Sequence, residues 1–284
     1  MVRFGSRPVV PMQGVDTQED LRMSRAARDT ISLPPPPADY GVVLLSHGSA
    51  DPRARLAADL LARRVGHRLG AFVAQASLDL DRPRLDGAVN YLASKHIHNL
   101  VVVPMLLTTA YHTTQDVPAF TAATQAAYPQ ARIVVSAPMG ADPYLLKGMD
   151  AVLKSAGHRP DPQTAVVLAS AGSSYASARS RHAALALEWR THGWGASAVA
   201  FASGPGPRIA DAVSDLRSAG YSDICVCPFL LAPGVMSQRI ATAARESGAH
   251  AVTGTLHSTD AAMEVVLRRV RAAVEQRDLQ MASG

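Results

Sequence analysis

The sequence predicts an α/β protein made of two similar lobes, each a parallel sheet of about four strands flanked by helices. Short runs of valine, isoleucine and leucine alternate with longer amphipathic segments, which is the pattern of parallel strands joined by helices. The second half of the chain repeats the first at a constant spacing. Hydrophobic residues make up 48% of the 284 residues but aromatic residues only 5%. Such a composition is typical of buried parallel strands covered by alanine-rich helices.

The first lobe is predicted to begin at Tyr40, after a segment without sustained periodicity. Each expected strand is a short apolar run of the kind that is buried on both faces of a parallel sheet. Each expected helix carries apolar residues three and four positions apart. The expected strands are residues 42–46, 72–80, 100–104 and 132–136, and the expected helices are residues 53–69, 83–95, a segment ending near 128, and 144–154.

The second half contains the same series of elements. Gly48 and Gly172 are 124 residues apart, and two proline pairs, Pro83 with Pro207 and Pro104 with Pro228, share that spacing. A shared spacing in three different elements indicates a duplicated unit, and ligands commonly bind in the cleft between two such lobes. The repeated strands are residues 166–169, 198–202, 224–228 and 250–253. The expected organisation is a flexible extension (1–39) ending in four prolines, a lobe with the active site (40–157), a degenerate lobe (164–276) and a tail (277–284).

Composition and charge exclude several classes of protein. The net charge of +5 is modest and not gathered into one basic run, so nucleic acid is not an expected partner. Cys225 and Cys227 are too close in sequence for an unstrained disulfide, which favours a reducing cytoplasm. No apolar run approaches the roughly 18 residues of a membrane span, and no apolar signal segment begins the chain. We therefore expect a cytoplasmic protein without a membrane partner.

Three titratable residues follow the strands of the first lobe: His47, Asp79 and His112. Ligands of open α/β sheets bind at the carboxyl ends of the strands. The positions 124 residues later are Ala171, Ser203 and Met236. Because structural demands act on both lobes alike, polar groups present in one copy only indicate a functional unit. Two imidazoles and a carboxylate can bind Fe²⁺, Co²⁺, Ni²⁺ or Zn²⁺, or can accept protons, and the residues alone leave both roles open.

Three motifs resemble those of the sirohydrochlorin chelatases, the class II chelatases of sirohaem and cobalamin synthesis. Residues 44–49 (LLSHGS) resemble the opening motif of that family, and residues 77–83 (SLDLDRP) resemble its second-strand motif. Residues 104–118 (PMLLTTAYHTTQDVP) are similar to its third-strand motif, in which a His is followed by Asp-Ile-Pro. Asp79 stands where the family usually has Glu. The resemblance extends from residue 40 to about residue 275.

The resemblance implies that the protein inserts a divalent metal into sirohydrochlorin, with Fe²⁺ favoured and sirohaem as the product. It implies that His47 and His112 hold the metal and accept protons, while Asp79 orients an imidazole or balances the charge of the cation. No tightly bound cofactor is expected, since the metal is a substrate. The alternatives are a cobaltochelatase of cobalamin synthesis, nickel insertion into a related macrocycle, and a metal- or tetrapyrrole-binding protein without catalytic activity.

The carboxylates of such a tetrapyrrole require cationic and hydrogen-bonding partners near the cleft. The residues expected to bind the substrate are Ser49, Arg53, Arg55 and Tyr111. Further candidates are Arg82, Arg84 and Arg239. We expect a monomer, because an internal duplication supplies both walls of the cleft. The sequence leaves open whether Met236 and His257 line that cleft.

Overall fold

Two parallel four-stranded sheets organise the computed structural model, which describes residues 40–79, 82–108 and 117–282. The first sheet has the spatial order β2-β1-β3-β4 and the second has the matching order β6-β5-β7-β8. This confirms the predicted duplicated α/β fold. We call the two halves lobe one and lobe two. The strands are β1 Tyr40–Ser46, β2 Val73–Ser77, β3 Asn99–Pro104, β4 Arg132–Val135, β5 Thr164–Ser170, β6 Ala196–Phe201, β7 Asp223–Pro228 and β8 Ala251–Val252.

Helices follow the strands in both lobes. The first begins as the sequence predicts, because the Asp51 carboxylate accepts a hydrogen bond from the Arg53 backbone N–H (2.9 Å) and Pro52 occupies the first helical position. The helices are α1 Pro52–Leu69, α2 Leu85–Ala93, α3 Val117–Ala127, α4 Leu145–Ser155, α5 Ala176–Trp189, α6 Ile209–Ser218, α7 Val235–Glu246 and α8 Asp260–Ala282. Since α8 continues to Ala282, residues 277–282 are helical and not the tail that the sequence analysis expected.

The spacing between the two lobes changes after their third strands. Val101 of β3 pairs with Val134 of β4, 33 residues later, whereas Cys225 of β7 pairs with Ala251 of β8 only 26 residues later. The offset of 124 residues therefore falls to 117 by the last strand of each sheet. Lobe one contains seven additional residues between these two strands.

The core consists of one cluster shared by the lobes and a separate cluster on the outer face of each sheet. Alternate residues of β1 face opposite ways: Val42 and Leu44 join the shared cluster, whereas Val43 and Leu45 join the outer cluster of lobe one. All four are at most 3% exposed. Full burial of each such side chain contributes roughly 1.5–3 kcal/mol to folding, so the central strands anchor both faces of the sheet.

The last helix of lobe two packs on the sheet of lobe one. Helix α8 contacts β3 and β4. Arg277 donates hydrogen bonds to the Tyr40 hydroxyl (2.6 Å) and to Asn99 Oδ1 (3.1 Å). Arg269 donates to Asp142 Oδ2 at 2.9 Å and also to two backbone carbonyls of the segment after β4. The C-terminal helix therefore covers the sheet of lobe one.

The last helix of lobe one makes the reciprocal contact with lobe two. Helix α4 contacts β7, and its Asp150 accepts hydrogen bonds from the indole N–H groups of Trp189 (2.8 Å) and Trp194 (3.0 Å). His192 Nδ1 lies 2.5 Å from the other carboxylate oxygen of Asp150. Each lobe is therefore covered by the final helix of the other.

The two cysteines lie in the interior of β7, as their apolar surroundings in the sequence suggest. Both are free thiols with no exposed surface. Burial raises the pKa of the Cys225 thiol to about 11 and raises that of Cys227 further. Both thiols are therefore protonated near pH 7 and unreactive. Separately, none of the helices in the described part of the chain has both the length and the apolar character needed to cross a membrane.

Candidate functional site

Strand β1 delivers His47 to the carboxyl edge of the first sheet. The strand ends at Ser46, and the imidazole of His47 is exposed. Gly48 has φ of +93°, a conformation that residues with a Cβ rarely adopt. Ser49 Oγ then accepts a hydrogen bond from the Asp51 backbone N–H (3.1 Å), just before α1 begins. This tight strand-to-helix turn presents His47 to solvent at the position predicted from sequence.

Asp79 lies next to His47 and is joined to it by a backbone hydrogen bond. Its N–H donates to the His47 carbonyl at 3.3 Å, and the preceding N–H of Leu78 donates to the Ser46 carbonyl at 2.9 Å. The side chain of Asp79 is exposed and is not among those that line the cavity beside His47. The backbones of the two residues are therefore adjacent. The role of the Asp79 carboxylate stays a prediction.

His112 and Tyr111 lie outside the described residues, but the start of the segment that carries them is described. Strand β3 pairs with β1, and the Met105 N–H donates to the Leu45 carbonyl at 2.8 Å. The segment therefore leaves the sheet next to His47. The described ranges contain no group of three or more His, Cys, Asp and Glu side chains arranged to hold a metal ion. The predicted pairing of His47 with His112 stays a prediction.

A cavity of about 960 Å³ opens beside His47 and extends between the lobes. Among the predicted substrate-binding residues, Ser49 and Arg55 line it, and so does Arg82. Arg53 does not line it; its guanidinium instead contacts the Asp51 carboxylate at 2.6 Å. The hydrogen bonds from Arg53 hold the pKa of Asp51 below its ordinary value. Arg84 and Arg239 also lie outside the lining.

Comparison of the two lobes shows which arginines of the cavity have an equivalent in lobe two and which do not. Arg55 and Arg179 occupy equivalent positions 124 residues apart, and each braces a neighbouring loop. Arg55 donates to the Arg82 carbonyl at 2.9 Å, while Arg179 donates to two serine carbonyls at 2.8 Å each. The equivalent of Arg82 is Gly206. Loop bracing is therefore common to both lobes, whereas the cationic side chain of Arg82 is present in lobe one only.

Lobe two supplies an apolar wall to the cavity. This wall comes from the segment between β7 and α7 and from the first turn of α7: Leu230, Leu231, Ala232, Pro233, Val235 and Met236. The loops of the two lobes approach each other here, because a Cβ placed on Gly234 would lie 3.6 Å from Ser49 Oγ. Lobe one adds both apolar side chains and polar ones such as Ser49, Arg55 and Arg82, and such a mixed lining suits a flat ligand that has apolar faces and charged edges.

Met236 lines the cavity, but it is not the equivalent of His112. Helices α3 and α7 begin at Val117 and Val235, 118 residues apart, so the offset of 124 residues is already lost where these helices start. The prediction that paired His112 with Met236 assumed that the offset of 124 residues also holds between the third strand and the next helix. It does not hold there. The contrast between His47 and Ala171 does not depend on that assumption, since the strands before them keep the offset.

His257 also lines the cavity, on the lobe-two side. It lies in a 3₁₀ turn, Leu256–Ser258, between β8 and α8, and is half-buried. Its Nδ1 is 3.1 Å from Thr255 Oγ1. Burial lowers the pKa of His257, and the positive charge of Arg64 lowers it further. The structure thus answers a question that the sequence left open: an imidazole from lobe two lines a cavity that His47 and His67 line from lobe one.

These features define a two-lobed α/β protein with a ligand cleft at the carboxyl edges of its sheets. The family model of CbiX matches residues 41–156 and, a second time, residues 165–273. The chain therefore belongs to the CbiX family of sirohydrochlorin chelatases, which confirms the resemblance seen in the three motifs. The double match agrees with the duplicated sheets.

Individual relatives are distant in sequence. A sirohydrochlorin cobaltochelatase of Priestia megaterium is 23% identical over 203 residues, which span 70% of this chain and 66% of that relative. The fold is similar to that of SirB from Bacillus subtilis with Fe³⁺, with a TM-score of 0.72, 22% identity and coverage of 85% of this chain and 98% of SirB. A SirB structure from Bacillus subtilis subspecies spizizenii with cobalt gives a TM-score of 0.66 at 20% identity, covering 85% and 97% of the two chains.

Proposed function

We propose that this protein inserts Fe²⁺ into sirohydrochlorin in the synthesis of sirohaem. One observation carries the proposal: His47 is exposed at the carboxyl end of β1, beside a cavity of about 960 Å³ between the lobes. The cavity has cationic and hydroxyl groups on the lobe-one side, among apolar side chains, and an apolar wall from lobe two. A macrocycle with apolar faces and carboxylate edges requires both kinds of surface.

Metal insertion requires that the macrocycle lose two pyrrole N–H protons while the cation loses its bound waters. A neutral imidazole is a ligand for Fe²⁺ or Co²⁺ and, once the metal has left it, a proton acceptor. We infer both roles for His47, which is exposed beside the cavity. We infer that His112 is the second ligand, since the segment that carries it leaves β3 beside β1. Asp79 orients one of the imidazoles or balances the charge of the cation.

The carboxylates of the macrocycle are bound by lobe one in this proposal. Ser49 lies at the start of α1, where backbone N–H groups and the helix dipole favour anions. Arg55 and Arg82 supply positive charge from the cavity lining. Tyr111 is a further candidate on the segment that carries His112. Arg53 is omitted, because its guanidinium pairs with Asp51 outside the cavity.

Cobalt insertion is the second candidate function. The Priestia megaterium relative is named a sirohydrochlorin cobaltochelatase, and the two SirB structures are described with Fe³⁺ and with cobalt. Imidazole ligands accept either ion, so the choice of metal has to be measured.

The test is an anaerobic absorbance assay with purified protein, sirohydrochlorin and Fe²⁺, Co²⁺ or Ni²⁺ in turn. A chelatase at a few per cent of the substrate concentration converts all of the substrate, faster than the uncatalysed reaction. The metal that gives the highest kcat/KM identifies the activity. A spectral change that stops at one equivalent of protein would instead identify a binding protein without catalytic activity.

A matched pair of variants tests the assignment of His47. We expect His47→Ala to lose insertion activity while it keeps the wild-type circular dichroism spectrum and melting temperature. His98→Ala removes an exposed imidazole outside the cavity and is expected to keep full activity. Full activity in a folded His47→Ala protein would contradict the proposed site.

A further inference from the structure

The cavity contains an imidazole that comes from lobe two, in addition to His47 and His67 of lobe one. His257 lines the cavity from lobe two, whereas His47 lines it from lobe one. The three motifs that resemble the chelatase family all lie in lobe one and do not include His257. Its position at the carboxyl end of β8 is also one where open α/β sheets place functional side chains.

The turn that carries His257 is fixed on both sides. The Leu256 N–H donates to the Leu230 carbonyl at 2.9 Å, and the Thr259 N–H donates to the Leu256 carbonyl at 3.0 Å. Arg64, on α1 of lobe one, donates to the Ser258 carbonyl at 2.8 Å. The imidazole therefore stands on a turn that is attached to both lobes, which limits its movement relative to a bound ligand.

His257 is present in one copy, by the same comparison that singled out His47. The hydrogen bond from Leu256 N–H to the Leu230 carbonyl has an equivalent in lobe one, from Gly140 N–H to the Leu106 carbonyl at 2.9 Å. The residue after Gly140, and thus the equivalent of His257, is Ala141. Lobe one forms the equivalent backbone hydrogen bond without an imidazole in the next position.

The surroundings of His257 favour the neutral imidazole. Burial is the main cause of its lowered pKa, and Arg64 on α1 adds a repulsive positive charge. Asp260, at the start of α8, is paired with Arg64 at 2.5 Å. Helix α4 approaches the same turn through Gly148, which has no titratable group. A neutral imidazole beside a ligand cavity is ready to accept a proton.

We propose that His257 accepts one of the two protons that sirohydrochlorin releases, an inference that rests on the proposed chelatase function. We assign the ring hydrogen to Nδ1, which lies 3.1 Å from Thr255 Oγ1, and this tautomer leaves the lone pair of Nε2 for the substrate. A pyrrole N–H bond breaks, its electron pair stays on nitrogen to bind the metal, and the proton forms an Nε2–H bond. The imidazolium then returns this proton to water. His257 is thus a proton acceptor and not a metal ligand.

The test compares His257→Ala and His257→Gln with wild type and with His98→Ala, under the conditions of the insertion assay. We expect both His257 variants to lower kcat by about 100-fold with KM for sirohydrochlorin little changed, which is within the range for loss of a general base. A separate titration with Co²⁺ alone, followed by absorbance, measures the metal site. We expect His257→Ala to bind Co²⁺ within about twofold of wild type, whereas His47→Ala loses that binding.

The outcomes separate this inference from the proposed function. If wild type turns over and the folded His257 variants keep a kcat within about twofold of it, His257 is not the proton acceptor. If His257→Ala loses Co²⁺ binding together with activity, His257 is a ligand and the inference is wrong. If wild type itself shows no turnover, the proposed function is wrong, and the inference that rests on it is wrong as well. Should His257→Ala melt early, His257→Gln decides, because it keeps a polar side chain of similar length.

Discussion

The carboxyl edges of β1 and β5 have the same backbone but opposite surroundings. At the edge of β1, His47 is exposed beside the cavity between the lobes. At the edge of β5, the equivalent residue is Ala171, whose carbonyl accepts a hydrogen bond from Ser203 Oγ at 2.7 Å. A Cβ on the next residue, Gly172, would collide with the Ser203 carbonyl. The edge of β5 is therefore packed against Ser203 and does not line the cavity, whereas the edge of β1 does.

This difference separates what the fold requires from what the site requires. Both lobes keep the strand order, the register of their central strands and the glycine after the first strand. Lobe one alone keeps the imidazole at the edge, and lobe two adds an apolar wall and His257 to the same cavity. The duplicated unit has thus become two different walls of one site.

The largest effect is expected when the imidazole moves from one lobe to the other. We expect His47→Ala to lower kcat/KM for metal insertion by about 10³-fold, because both a ligand and a proton acceptor are lost. Adding Ala171→His to that variant restores nothing, since the β5 edge is closed by Ser203. The measurement is the anaerobic insertion assay. Recovery of insertion activity in the double variant would show that the ends of β1 and β5 are interchangeable. That result would contradict the proposed difference between the two lobes.

The second prediction compares the glycines that follow β1 and β5. Gly48 and Gly172 have φ of +93° and +102°, so alanine at either position is strained by about 1–3 kcal/mol. Gly172→Ala also forces a collision with the Ser203 carbonyl, whereas Gly48 lines the cavity. We expect Gly172→Ala to lose about 3 kcal/mol of unfolding free energy and Gly48→Ala clearly less. Denaturant titrations of both variants measure this, and equal losses would contradict a closed edge.

Much of this architecture follows from sequence because strands buried on both faces leave continuous apolar runs. The runs at residues 42–46 and 224–228 lie within β1 and β7. Strand β2 is shorter than predicted, since the chain turns at Ser77, whose N–H bonds to the Pro83 carbonyl. It was not predictable that α4 packs on the sheet of lobe two and α8 on the sheet of lobe one. An amphipathic pattern shows which face of a helix is apolar but not which sheet covers that face.

The site was predictable only where the two lobes stay in register. His47 could be identified because the offset of 124 residues holds at its position and gives Ala171 as the equivalent residue in lobe two. His257 could not, because the offset has fallen from 124 to 116 residues at this turn, which conceals its equivalent, Ala141. The apolar wall of lobe two has no motif at all. It acquires its role from its position opposite His47.

The third prediction concerns the exchanged helices, which hold the two walls together. Asp150→Ala leaves the indole N–H groups of Trp189 and Trp194 without their acceptor, and both rings are at most 3% exposed. We expect a loss of about 2–3 kcal/mol in unfolding free energy. Asp150→Asn, which keeps an oxygen acceptor, is expected to lose less. Asp215→Ala removes an exposed carboxylate of α6 and serves as the control, with a loss below about 0.5 kcal/mol. An equal loss in all three variants would contradict the role of Asp150.

The smallest effect is a pH dependence of stability that only lobe two contributes. His182 on α5 is 2% exposed, and its Nε2 lies 3.3 Å from the Leu107 carbonyl of lobe one; its equivalent in lobe one is Ala58. Burial lowers the pKa of His182 in the folded protein below the ordinary value of 6.5. Below that pH the unfolded chain binds a proton that the folded chain does not, so acid favours unfolding. Above it, this histidine contributes no pH dependence.

Substitution of His182 should therefore change the pH dependence as well as the stability. Between pH 7.5 and pH 5.5, we expect wild type to lose up to about 1.4 kcal/mol more unfolding free energy than His182→Gln, which cannot be protonated in this range. Guanidinium titrations at the two pH values measure the difference. His98→Ala removes an exposed histidine and should keep the wild-type pH dependence. A His182→Gln protein with the same pH dependence as wild type would show that the imidazole is protonated equally in the folded and unfolded states. The contact between lobe two and the Leu107 carbonyl would then contribute nothing to the response of the molecule to acid.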